Sequence, residues 1–303
     1  MDLRSVRRFG VLAESLHGVG YYGPEIRVFD DVGVHGWWRA YFAYRSAPLG
    51  AVGPKVVAAV FYGFAERMVA RALPEVWSRV SPEEAIRLRS GAVDAAWRRI
   101  FAGQVGDRVF EATVEEAAEL AEVALTGVDV GARPLAAAYL ALGRPAVPHL
   151  RLWHAATVVR EHRGDGHAIA LAAAGVDPVE CQVLMVARGH GNLATMQRIR
   201  GWEPAELAAA TDRLVARGWV DAAGGCTAAG AEGREAVEVH TDRLAAGPVE
   251  RLGAGGVARF EELVAPLRAV LHGAGGIPER WPPPHVVVGG ADAGRDGDGT
   301  VGS

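Results

Sequence analysis

The sequence predicts a mainly α-helical protein of two winged-helix-like units, related by an internal repeat and joined by a helical linker, with a small β-hairpin wing in the second. Three observations carry that reading. Apolar residues recur at three- and four-residue steps along most of the chain, the period of amphipathic helices. Two stretches, 49–100 and 173–220, share landmarks at a nearly constant offset. Pro54 matches Pro178, Trp77 matches Trp202 and Pro82 matches Pro204, spaced 124, 125 and 122 positions apart. The order over 176–245 is helix, helix, helix, hairpin, long helix. The units are expected at 1–105 and 148–281, with the linker at 106–147. Residues 282–303 are rich in Pro, Gly and Asp without apolar period and read as a disordered tail.

The elements follow in order. Residues 5–19 form a helix with Val6, Phe9, Leu12, Ala13 and Leu16 on one side; Gly18, Gly20, Gly23 and Pro24 end it. A helix over 34–46 is aromatic almost all round (Trp37, Trp38, Tyr41, Phe42, Tyr44), which predicts burial on more than one face. Residues 55–71 read as one strong helix. Ser81, Pro82 and Glu84 form a capping-box start for a helix that runs to about Ile100. Helices at 111–125 and 134–142 make the linker. Asp177-Pro178 opens a helix to Gly189, 192–200 is a short one, and Glu203-Pro204 opens the next. Trp219-Val220, a turn over Ala223-Gly224-Gly225 and Cys226-Thr227 read as a hairpin. Helices at 228–245 and 257–273 complete the chain.

Composition narrows the function classes. The 303 residues suffice for two domains and a real core, and half are apolar. A net charge of -4 exerts no global pull on nucleic acid or anionic membrane. Cys181 and Cys226 are the only cysteines, and CxxC is absent, so a reducing cytoplasm is the default. The basic N-terminus is broken by Glu14 and His17 and is not a signal peptide. No run of 18 apolar residues exists to span a membrane.

The candidate site lies in the helix Leu150 to Gly175. Arg160, Glu161, His162, Arg163, Asp165 and His167 fall within eight positions, with Gly164 and Gly166 between them. Two glycines in one turn weaken a helix by about 1 kcal/mol each, which predicts a close backbone approach or a kink. Three readings stay open. The first is an internal salt-bridge network, Arg160 or Arg163 paired with Glu161 or Asp165. The second is a small-molecule pocket between the halves. His17, Tyr21, Tyr22 and Arg45 would contribute from the first half, and His154, Glu161, His162, Arg163, Asp165 and His167 from the second. The third is a metal or acid/base site using the histidines and carboxylates of that helix. Its spacing matches no ligand pattern, and HExxH is absent because Glu161-His162 runs the other way. No metal or cofactor is therefore assigned.

Leu214, Arg217, Gly218, Trp219 and Val220, followed by Thr227, Ala228, Ala229 and Gly230, resemble the end of the reading helix and the wing of MarR-type regulators over about 70 residues. More broadly, LHGVGYYGPE (16–25), YFAYRSAPLGAVGP (41–54) and LRLWHAATVVREHRGDGH (150–167) resemble an actinobacterial helix-turn-helix-type family of poorly defined function, over about 270 residues. That resemblance implies a winged-helix label and brings no catalytic residues. A reading helix should present Arg, Lys, Asn or Gln to base edges. Here helix 204–217 opens with Glu203, Pro204 and Glu206 and carries Asp212, and only Arg198, Arg200, Arg213 and Arg217 can meet DNA. The expectation is a regulator-type protein that binds a small molecule between its halves and double-stranded DNA as a homodimer. The alternative is a winged-helix scaffold without DNA binding that uses the same pocket for ligand handling or catalysis.

Overall fold

The structure, a computed structural model, describes residues 2–273. The expected tail at 282–303 lies outside the described residues. Fourteen α-helices follow one another among them. The first six are α1 (Leu3–His17), α2 (Val19–Tyr22), α3 (Trp37–Ser46), α4 (Pro54–Val60), α5 (Glu66–Val69) and α6 (Pro82–Ile100). Then come α7 (Arg108–Leu125), α8 (Pro134–Leu140), the long α9 (Pro148–Ala173), α10 (Pro178–Ala187), α11 (Leu193–Arg200) and α12 (Pro204–Ala216). The chain closes with α13 (Ala228–Leu244) and α14 (Ala246–Gly273). Several starts follow from the capping residues: Ser81, Asp107, Asn192 and Thr227 each accept a backbone N–H of the first turn, and Asp177 and Glu180 form a capping box.

Helix α9 is the axis. Residues Leu152 to Val159 are buried on every side, because α1, α7, α8 and α13 all pack on it. Helix α14 returns to cover α1 and α7, with Phe260 against Phe9. Two hydrophobic cores result. The larger runs from Val6 to Val159 and takes in α14 from Val257 to Leu271. The smaller contains Ala170, Leu171, Val183, Leu184, Leu207, Leu214 and Val237. The C-terminal turns of α9 thus leave the body and enter a smaller unit, α10 to α13.

Gly164 and Gly166 do not break α9. At Gly166 the predicted close approach exists: a Cβ there would stand 2.8 Å from Arg133 Nη1 and 3.3 Å from Leu244 Cβ. Arg133 reaches across this gap to the carbonyls of His162 (2.9 Å) and Leu244 (2.7 Å).

The winged-helix architecture is corrected. Among the described residues there is no strand; Val220 and Cys226 form one isolated antiparallel bridge. The Asp221 carboxylate accepts from Ala223 N and Gly225 N, which curls the segment into a compact turn. Thr227 then caps α13 at once, so no residues remain to lengthen a ladder. Trp219 turns onto α13, where its ring fills the space that a Cβ on Gly233 would need. The helix expected over 55–71 is likewise interrupted: α4 ends at Val60, and Phe61 to Ala65 forms a loop.

Candidate functional site

A cavity of about 340 Å³ opens where the body meets the unit of α10 to α13. On the body side stand Tyr21 and Tyr22 of α2, Tyr41 and Arg45 of α3, and Phe61 to Phe64 of the loop after α4. Helix α9 supplies Arg160, Glu161, Gly164, His167, Ala168 and Leu171. The far wall is Cys181, Gln182 and Met185 of α10, Arg200 at the end of α11, and Arg234 of α13.

Glu161 is the most constrained group. Its carboxylate accepts both of its bonds from Arg45 through one nitrogen, Nη2, at 2.7 and 3.0 Å, and a third from Arg160 Nη1 at 2.9 Å. Burial alone would raise this carboxyl; Arg160 and Arg45 override it and hold it well below the usual carboxylate range. Arg45 also donates to Tyr41 Oη at 2.8 Å, and its guanidinium lies 4.3 Å from the centre of the Phe61 ring. Arg160 Nε donates to Glu14 at 2.7 Å. His17 Nε2 sits 3.8 Å from Glu161. Thr157 donates its hydroxyl to Trp153 O, so His17 Nδ1–H donates to Thr157 Oγ1 and the ring is neutral. Burial, aided by Arg160, lowers its pKa to about 3.

His167 is fixed in the same way. Thr241 donates to Val237 O, so His167 Nδ1–H donates to Thr241 Oγ1 and Nε2 faces Arg234 Nη2 at 3.4 Å. Burial lowers this imidazole to about 4 and pushes the Cys181 thiol up to about 11. Neither group changes protonation near neutrality, which is where efficient proton transfer requires it. The lining is built to hold charge and rings.

The loop Phe61 to Ala65 fastens the two sides together. Tyr62 Oη donates to Val176 O (2.7 Å), Trp202 Nε1 to Gly63 O (3.1 Å) and Ala65 N to Arg200 O (2.9 Å). A Cβ on Gly63 would meet Gln182 Nε2 at 2.5 Å, so a side chain there would have to displace that buried amide. These cross-links explain why an apolar, helix-like run opens into a loop.

Of the ligand residues named from sequence, Tyr21, Tyr22, Arg45, Glu161 and His167 line the cavity, and His17 lies directly behind Glu161. The remaining four face elsewhere. His162 meets Asp129 at 3.3 Å. Arg163 pairs with Asp242 (2.7 Å) and Glu238 (3.1 Å), passing over Gly10. The Asp165 carboxylate accepts from Ala136 N at 3.0 Å and caps α8, and His154 is buried outside the lining. Glu14, Tyr41, Phe64, Arg160, Gln182 and Arg234 were not foreseen as lining. Among the described residues no group of three or more His, Cys, Asp and Glu can hold a metal ion.

The four arginines assigned to DNA do not share a face. Arg200 enters the cavity and lies 4.2 Å from the centre of the Phe64 ring. Arg213 binds Glu180 (2.8 Å) and Asp177. Arg217 donates to Ala174 O and Gly175 O and stacks 3.8 Å over Trp219. Arg198, Arg213 and Arg217 are exposed, and of these Arg198 alone enters neither a side-chain hydrogen bond nor an ion pair among the described residues.

A family model described as a helix-turn-helix family matches residues 6–278. The chain belongs to this helix-turn-helix family. The comparisons with curated proteins and with solved structures found no match. Membership in the helix-turn-helix family rests on nearly the whole chain and gives no support to a MarR-type half or an actinobacterial source. No single helix among the described residues of this family member is long and apolar enough to cross a membrane.

Proposed function

We propose that this helix-turn-helix protein is a regulator-type protein that binds a small molecule in the cavity between its body and its helix-turn-helix unit. The observation that carries the reading is the shared ownership of that cavity. Phe61 to Phe64 belong to the body, Cys181, Gln182 and Arg200 to the helix-turn-helix unit, and α9 runs through both. A ligand there would touch the residues that set how the two sides sit, which is the arrangement a binding-coupled response needs. Ala168 lines the cavity, so Ala168→Phe should fill it without burying a new polar group. The test is native mass spectrometry of protein purified from its source cells, wild type beside Ala168→Phe. A small molecule retained by the wild type and missing from the variant supports the reading; equal retention by both overturns it.

DNA is the partner to which family membership points, and it is proposed here as the target of the response in a homodimer. The second reading, a helix-turn-helix frame that handles its ligand without DNA, is favoured by a specific observation: Arg213 and Arg217 are already committed within the chain. The exposed face of α12 also presents Glu203, Ala205, Ala208, Ala209 and Asp212, none of which reads a base edge as donor. Binding of purified protein to its own upstream DNA across a salt series separates the two. Tight binding that weakens steeply with salt keeps the regulator reading. No binding at low salt leaves the second.

A further inference from the structure

The cavity's lining is unequal in charge and rich in rings, and this defines what it takes. Four arginines (Arg45, Arg160, Arg200 and Arg234) face two carboxylates (Glu14 and Glu161). The lining itself thus carries more guanidinium than carboxylate groups, and behind it Arg234 also pairs with Glu238 at 2.6 Å. The excess sits on one side. Arg45 and Arg160 are bound to Glu161, and Arg160 to Glu14 as well, so the body side is nearly balanced. Arg200 and Arg234 both line the wall formed by α10, the end of α11 and α13, and no lining carboxylate belongs to that wall.

Two buried polar atoms on that wall lack hydrogen-bond partners: Arg234 Nη1, a donor, and Gln182 Oε1, an acceptor. A buried unmade hydrogen bond is costly, and a bond to a charged partner is the stronger kind. The facing side is aromatic, with Tyr21, Tyr22, Tyr41, Phe61, Tyr62 and Phe64 around the opening. Rings of this kind favour a flat aromatic body in offset or edge-on contact.

We propose that the ligand is an aromatic carboxylic acid bearing a hydroxyl group, its carboxylate on Arg234 and Arg200, its hydroxyl donating to Gln182 Oε1 and its ring among the tyrosines and phenylalanines. This rests on the reading that the cavity is the ligand site. Simple cations meet guanidinium groups and no lining carboxylate on that wall, and a neutral amide of the same shape lacks the charge that the two guanidinium groups favour.

The test is fluorescence titration of the full chain with three matched probes: 6-hydroxy-2-naphthoate, its primary amide, and the naphthylmethylammonium analogue. The acid should bind about tenfold or more tightly than the amide, the magnitude of one added charge-assisted hydrogen bond, and the ammonium should not bind. Arg234→Gln and, independently, Arg200→Gln should reduce affinity for the acid by a similar factor and leave the amide unchanged; the second variant covers loss of the Arg234 pairing with Glu238. Amide binding equal to acid binding, preference for the ammonium, or no binding of any probe overturns the ligand class. Undiminished binding of the acid to Ala168→Phe overturns instead the assignment of the cavity as the site.

Discussion

At the scale of single residues, Glu161 shows how a buried charge is tolerated. It is 1 % exposed, and its two oxygens accept three bonds from two arginines. Removing one partner of such a pair leaves an uncompensated charge, which costs about 3–5 kcal/mol. Glu161→Ala should therefore lower the unfolding free energy by about that amount in a urea titration, with Arg45 the stranded cation. Asp165→Ala should cost less, about 1 kcal/mol, because it removes a helix cap and no ion pair. Burial lowers five histidines, His149 and His162 among them, and three of the five set most of the pH response. Burial lowers His17 to about 3 and His154 and His167 to about 4, against 6.5 for the free side chain. The unfolded chain binds these protons and the folded chain does not, so the stability they provide is full above pH 6.5 and falls as pH drops toward 4. Asp165, raised by burial to about 6, acts in the opposite direction: its contribution is present below 3.8 and fades as pH rises through about 6. Three groups outweigh one. Urea midpoints measured from pH 7 to pH 4 should fall steadily, and His167→Gln should flatten the slope by about 1.4 kcal/mol per pH unit, the value of one proton.

At the scale of elements, the helices with a clear apolar period were legible in the sequence. Those at 82–100, 108–125 and 148–173 appear within a few residues of where periodicity and capping residues predict them. The closely approached glycine was legible too, since Gly166 admits Arg133. Two elements were not. Residues 55–71 have helical composition throughout, and only distant partners, Val176, Arg200 and Trp202, open Phe61 to Ala65 into the cavity wall. Local propensity cannot register hydrogen bonds to residues more than 100 positions away. The wing failed for the opposite reason: Trp219-Val220 and Cys226-Thr227 have strand composition, but the Asp221 turn and the Thr227 cap leave no length for a ladder. Gly63→Val follows from the same packing. Its side chain would meet Gln182, so the variant should open the joint between loop and α10, seen as faster hydrogen exchange at Phe61 to Ala65 and over α10, with the α1–α7–α14 packing unaffected.

At the scale of the whole molecule, a helical body and the smaller unit of α10 to α13 are joined by one long helix and one clamped loop, with a charged aromatic cavity at the joint. About half of the ligand residues named from sequence meet there. Residue type identified Arg45 and Glu161 as candidates, but no sequence signal pairs two residues 116 positions apart. Arg200 makes the same point in reverse. As an arginine beside a helix-turn-helix it reads as a DNA contact, and the fold turns it inward over Phe64. The central claim is that a small molecule is held by both sides at once. Hydrogen–deuterium exchange of the full chain with and without 6-hydroxy-2-naphthoate tests it directly. Protection should rise together at Phe61 to Ala65, over α10 and at the end of α11, and Ala168→Phe should abolish all three changes. Protection confined to one side of the joint, or persisting in Ala168→Phe, would contradict it.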